Sequence, residues 1–231
     1  VTLTPEGTAF LEKATLILNE MESLHFPSQN QGKEPETLSV SMTKFSHVME
    51  SFIATVQKYR DQPEFIHRLY EGQVNEVIDD VLQGRVDIGV LHFNSSGREQ
   101  MIRDLSAKGL SYQFLASAMP RIVISKNHPL VRAGKAMTRE NLAPYGFVRY
   151  LGLYDDVLAQ LWGQDFAKDR FGGKKEIFVT GRATLMNLIS ETNFYSIGIH
   201  DFDKQLTDFG AISLPIPGCE ILMEFGYITL Q

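Results

Sequence analysis

The chain has 231 residues, of which 43% are hydrophobic and 22% charged, with a formal net charge of −6 at pH 7. That length supports one large domain or two small ones with a real core, and the acidic balance argues against non-specific binding of nucleic acid by this chain alone. A lone cysteine, Cys219, excludes an internal disulfide and fits a reducing compartment. With no apolar run of membrane-span length and no visible signal peptide, the composition reads as cytoplasmic.

A helix is predicted almost at once. Thr4 suits the N-cap, Pro5 the first helical position, and Glu6 complements the helix dipole. Apolar residues then fall at Phe10, Ala14, Ile17, Met21 and Leu24, an a/d seam that Leu11 and Leu18 widen on one side. Pro27 and the polar stretch SQNQGKEPET close the pattern. An ordinary amphipathic helix packed on its own domain would show the same periodicity. The polar linker favours a helix that pairs with a copy of itself.

Next, TLSVSM (37–42) alternates like a strand, and Phe45, Val48, Met49, Phe52, Ile53 and Val56 recur at helical spacing. Pro63 interrupts, EFIHRLY reads as a second strand, and Val74, Val77, Ile78, Val81 and Leu82 form another helix with Gly84 as its stop. VDIGVLHF is an apolar run of the buried-strand kind. This β-α-β-α-β order predicts a mostly parallel sheet with helices on its faces.

After a polar segment, Asn94 to Lys108, LSYQFLA and PRIVISKNHPL read as strands. Thr138 caps a short helix, YGFVRY is a strand, and YDDVLAQLWGQDFAKDRFG is a helix with a favourable charge distribution. KEIFVT, RATLMNLISE and FYSIGIHD then give strand, helix and strand, so a second α/β unit repeats the first. The tail AISLPIPGCEILMEFGYITLQ is strand-like, with Pro215 and Pro217 marking a connection.

Motifs for chemistry are scarce. Neither phosphate-binding glycine motif is present, and FGGKK (171–175) follows a helix where a phosphate cradle must open one. Six scattered histidines and one cysteine make no metal site, and no nucleophile elbow appears, so no cofactor, metal or catalytic residue is expected. What remains is polar residues at the carboxyl ends of predicted strands, where open parallel sheets bind ligands. These are Thr43 and Lys44, His92, Arg149, Thr180 with Arg182, and His200. Their cationic character, beside helix N-termini, points to a small anionic ligand, plausibly a carboxylate.

The ordered motifs resemble the LysR-type transcriptional regulators. LTPEGTAFLEKA carries Leu3, Thr4, Gly7 and Ala14 at the spacing that closes that family's winged helix-turn-helix and opens its linker helix. GRVDIGVL, with Gly84 and Asp87, and IVISKNHPL, with His128, Pro129 and Leu130, are similar to two further family stretches. FYSIGIHD corresponds to a glycine-rich strand but departs from it at Tyr195 and His200.

The resemblance implies two Rossmann-like α/β subdomains joined by two crossover strands, as in type 2 periplasmic binding proteins, preceded by a long linker helix. It implies residues 1–27 as the end of the winged helix-turn-helix plus the dimerisation helix, and 28–36 as a linker. Subdomain I would be 37–113 with 216–231, and subdomain II 114–215, with crossings near Tyr112–Ser117 and Ile212–Pro217. The family's effector sits in the cleft between subdomains. By motif position its contacts would fall on Met42, Thr43 and Lys44, on His92, on Arg149, Tyr150 and Leu151, and on Thr180. Further expectations are a homodimer or homotetramer, DNA contact through an N-terminal winged helix-turn-helix absent here, no membrane, and a chain trimmed before the family's last helix. A solute-binding receptor of a transporter shares the fold, and an enzyme on the same scaffold is the more distant rival.

Overall fold

The computed structural model describes residues 4–8, 10, 11, 13, 14, 36–43, 46–151, 175–199 and 209–231. Near the N-terminus, residues 5–8, 10, 11, 13 and 14 are helical. Thr4 caps this helix, its Oγ1 accepting from the Gly7 N–H at 3.1 Å. Phe10 and Leu11 are exposed, and the remaining seam positions Ile17, Met21 and Leu24 lie outside the described residues.

The first sheet has five strands. β1 (Glu36–Thr43), α1 (Ser46–Tyr59), β2 (Phe65–Gly72), α2 (Val74–Leu82) and β3 (Ile88–Asn94) follow in the predicted order. β1 pairs in parallel with both β2 and β3. The apolar positions of α2 explain the packing: Val77, Ile78 and Val81 recur at helical spacing and all three are buried. Gly84 ends that helix at φ 65°, a left-handed conformation that glycine adopts without a Cβ penalty.

Side chains of the GRVDIGVL stretch hold this arrangement together. Asp87 accepts from both the backbone N–H and the hydroxyl of Ser39, each at 2.8 Å. One helix position of α2, Asp80, accepts from Ser41 at 2.6 Å and pairs with Arg85 at 2.6 Å, tying α2 to β1.

The segment from Asn94 to Lys108 holds a helix that its polar composition hid. After a 3-10 turn at Ser95–Gly97, α3 (Arg98–Ala107) buries Leu105 alone. One buried residue in ten leaves no apolar period to read. β4 (Leu110–Ala118) and β10 (Met223–Leu230) complete the sheet in the order β2-β1-β3-β10-β4.

The second sheet runs β7-β6-β8-β5-β9. Its strands are β5 (Arg121–Ser125), β6 (Phe147–Tyr150), β7 (Glu176–Val179), β8 (Tyr195–Gly198) and β9 (Ala211–Pro215). Here β6 is parallel to β7 and β8, whereas β5 is antiparallel to β8 and β9. The repeat of the first unit is therefore partial, and both sheets are mixed. The tail read as one strand-like run is two strands, β9 and β10, in different sheets.

Both faces of the second sheet are covered, which explains its continuous apolar strands. Ile122, Ile124, Phe147 and Tyr195 pack on one face with Leu130, Met137 and Leu142. Val123 and Val148 face the other way, onto Leu185, Met186 and Ile189 of α6 (Arg182–Glu191). Two short helices, α4 (Pro129–Arg132) and α5 (Arg139–Leu142), connect β5 to β6. Thr138 caps α5 as predicted. The helix expected over YDDVLAQLWGQDFAKDRFG lies outside the described residues.

By contacts the chain divides into two compact units. One comprises Val1–Val90, Lys108–Ser111 and Ile228–Gln231; the other comprises Leu91–Ala107 and Tyr112–Tyr227.

Candidate functional site

The predicted site residues fall on two sets of strand ends. On the first sheet, Met42 and Thr43 terminate β1, 0% and 3% exposed. Met42 pairs with Val90 of β3, and the Thr43 hydroxyl donates to the Val90 carbonyl at 3.4 Å. Lys44 lies outside the described residues. His92, two positions beyond Val90 on β3, is buried with its ring tilted against Phe225 at 6.2 Å. Burial drives its pKa down to about 3, so the imidazole is neutral at physiological pH.

On the second sheet, β6 presents Arg149 and Tyr150, and Leu151 follows. The Arg149 Nε is 3.9 Å from the Glu176 carboxylate, and its guanidinium lies over the Phe178 ring at 4.5 Å. Tyr150 packs against the Val123–Val148 core. Leu151 is 55% exposed, while its N–H donates to the Val179 carbonyl at 2.8 Å. Thr180 is exposed and Arg182 half-buried, flanking the N-cap Gly181 of α6. β6 and β7 are in register at Tyr150 and Val179, so these five residues share one end of a strand pair. His200 lies outside the described residues.

Sequence reasoning missed two polar groupings. Glu224, in the apolar strand MEFGYITL, is 4% exposed and accepts from Tyr112 at 2.7 Å and Arg98 at 2.8 Å. Burial, then the bond to Glu224, pushes the Tyr112 phenol up. An acid inside an apolar run was the available signal. The second is Tyr195, whose phenol burial and the nearby Glu176 charge push up to about 12. The motif histidine His128 braces the fold. Its Nδ1 accepts from the Leu130 N–H at 3.2 Å, and its Nε2 donates to the Asn193 carbonyl at 3.0 Å. Among the described residues, no cluster of three metal-ligating side chains occurs, and no helix is long and apolar enough to cross a membrane.

Two mixed five-stranded sheets with interleaved helices define the type 2 periplasmic-binding-protein-like class. Residues 49–231 match the LysR substrate binding domain, and the chain belongs to that family. It is similar to the effector binding domain of QuiR in complex with shikimate, at 14% identity and a TM-score of 0.57, covering 86% of this chain and 88% of that one. Full-length CbnR complexed with its target DNA gives 16% identity and 0.62, covering 100% and 76%. The BenM effector binding domain with its effector benzoate gives 13% and 0.55, covering 86% and 85%. Comparison with curated protein sequences gives no match.

Proposed function

We propose that this chain is the effector-sensing part of a LysR-type transcriptional regulator, and that it binds a small anionic molecule, a carboxylate, at the strand ends described above. Family membership across residues 49–231 carries this reading. QuiR and BenM, of the same fold, are seen with shikimate and benzoate, which supports a carboxylate. Lys44 and Arg149 supply the positive charge; Met42, Thr43, His92, Tyr150, Leu151, Thr180, Arg182 and His200 shape and orient. Because Arg149 already faces Glu176 at 3.9 Å, the ligand competes with an internal carboxylate for that guanidinium.

The same reading makes the protein a sensor and no enzyme. In the whole regulator a winged helix-turn-helix contacts DNA, the first helix pairs copies into a dimer or tetramer, and the protein works in the cytoplasm. Residues 37–113 with 216–231, and 114–215, act as its two subdomains. Effector binding shifts their arrangement, which requires different affinity for the two states.

The test is thermal unfolding against a panel of carboxylates, phosphates and sulfate. A ligand at a hundred times its Kd stabilises by about 2.7 kcal/mol, a rise of several degrees at this size. A carboxylate that is recovered unchanged, and whose affinity drops at least tenfold in Lys44→Ala, supports the reading. Consumption of the ligand, or wild-type affinity in both Lys44→Ala and Arg149→Ala, overturns it.

A further inference from the structure

Arg121 is the first residue of β5, not the last. Because β5 runs antiparallel to β8, that first residue lies where β6, β7 and β8 finish. Register places it in one row across the second sheet. Arg121 is level with Gly198 of β8 on one side and with Pro215 of β9 on the other. Phe147 is level with Tyr195, so three positions on, Tyr150 is level with Gly198. Tyr150 in turn pairs with Val179 of β7. Tyr150 and Val179 pack on the α6 face with Val123. Alternation puts Arg121, two residues before Val123, on that face too.

Gly198 leaves the row open at its centre. Its φ is not positive, so backbone conformation does not demand glycine there. Space does, since a Cβ would come within 2.8 Å of Val123 Cγ2. No side chain therefore separates Tyr150 from Arg121 in the row, and their strands are two spacings apart, roughly 10 Å. The guanidinium beside this gap is held in place. Its Nε donates to the Ser213 hydroxyl at 2.8 Å, and its Nη2 donates to the Ser213 carbonyl at 3.0 Å. Ser213 is 4% exposed while Arg121 is half-buried, so a buried anchor carries a charged group that keeps contact with water. A guanidinium has five N–H donors in a planar fork, and Ser213 accepts from two of them. A fork oriented beforehand loses little side-chain entropy on binding.

We propose that Arg121 is a further anion-binding residue of the strand-end site on the second sheet, holding a carboxylate over Gly198 beside Tyr150, with Ser213 as its positioning residue. The role deepens the effector reading above and rests on it. It adds a third cation to the two which that reading names.

Sodium acetate, a minimal carboxylate probe, reads this subsite whatever the rest of the ligand is. It is titrated into the isotope-labelled full chain at constant ionic strength, and NMR follows the backbone amides and the Arg121 Nε–Hε signal. That signal and the Gly198 amide are expected to shift together along one saturating curve. Arg121→Gln weakens binding read at Gly198 roughly tenfold or more, the worth of a hydrogen bond to a charged group. Arg121→Lys keeps the charge without the planar fork and recovers only part of the loss. Ser213→Ala keeps the guanidinium and weakens binding by a smaller factor, an effect that a merely structural Arg121 would not give. Wild-type affinity in a folded Arg121→Gln protein overturns the proposal, and where that variant does not fold, wild-type affinity in Arg121→Lys does so. No saturable shift at Gly198 overturns it too; if Thr43 and Leu151 shift all the same, the effector reading stands without Arg121.

Discussion

α1 and α2 have the same apolar period and different fates. α2 buries Val77, Ile78 and Val81 completely against the first sheet. In α1, Val48, Met49, Phe52 and Val56 are half-buried, Ile53 is 45% exposed, and among the described residues of that helix none is fully buried. The strand beneath it, β2, is an edge strand whose Ile66 and Tyr70 are also exposed. Periodicity reports that a helix has an apolar face. What covers the face depends on the layer it joins, and a helix over an edge strand is left more exposed than one over central strands.

A pair of substitutions separates the two helices most sharply. Ile78→Ala removes a side chain 5% exposed and empties a packed site, at a cost of about 2–5 kcal/mol. Ile53→Ala, on the corresponding face of α1, costs less than about 1 kcal/mol, because that side chain is already 45% exposed. Chemical denaturation of both variants decides it; equal losses would mean that α1 is covered as fully as α2.

Acid probes the packed layer in a second way. The buried His92 of β3, held at about 3, and the buried His128, also held below its ordinary 6.5, stay neutral in the fold while the unfolded chain takes up protons near 6.5. The unfolded state therefore binds more protons below that pH. Stability is full above pH 6.5 and falls as pH drops, by up to about 1.4 kcal/mol per unit for each histidine, until each folded pKa is reached. For His92 the loss continues towards pH 3 and amounts to about 2 kcal/mol by pH 5. Melting temperatures from pH 7.5 to 5 should fall steeply, and less steeply in His92→Leu. An identical slope in the two proteins would contradict the neutral, desolvated imidazole.

The same contrast sets what the sequence could reveal. β1, α2 and β3 were legible because apolar period, a glycine stop and a buried-strand run agree, and because Val77, Ile78 and Val81 do bury. α3 was not, since Leu105 alone anchors it. Strand direction in the second sheet was hidden because β5 joins β8 and β9 across long stretches of chain, a choice local pattern does not encode. At the candidate site, strand ends and residue types were readable, but partners were not. That Arg149 faces Glu176, and that Glu224 takes two donors, follow from register between strands distant in sequence.

The smallest effect is expected in the α1–β2 layer. His67 of β2 stacks on Phe65 at 4.7 Å and meets the edges of Tyr59 at 5.5 Å and Phe52 at 6.3 Å. Both ring nitrogens are buried and neither has a hydrogen-bond partner among the described residues. A buried polar atom without a partner costs about 1–3 kcal/mol, whereas a phenyl ring in that aromatic cage keeps the stacking and loses the penalty. His67→Phe is therefore expected to stabilise the protein by about 1 kcal/mol, a rise of some 2–4 °C at this size. A matching substitution in the packed layer, His92→Phe, gains less, because the larger ring must fit a site 6% exposed. If His67→Phe melts at or below the wild-type temperature, the imidazole nitrogens have partners in solution, and the α1–β2 layer is better satisfied than its half-buried side chains imply.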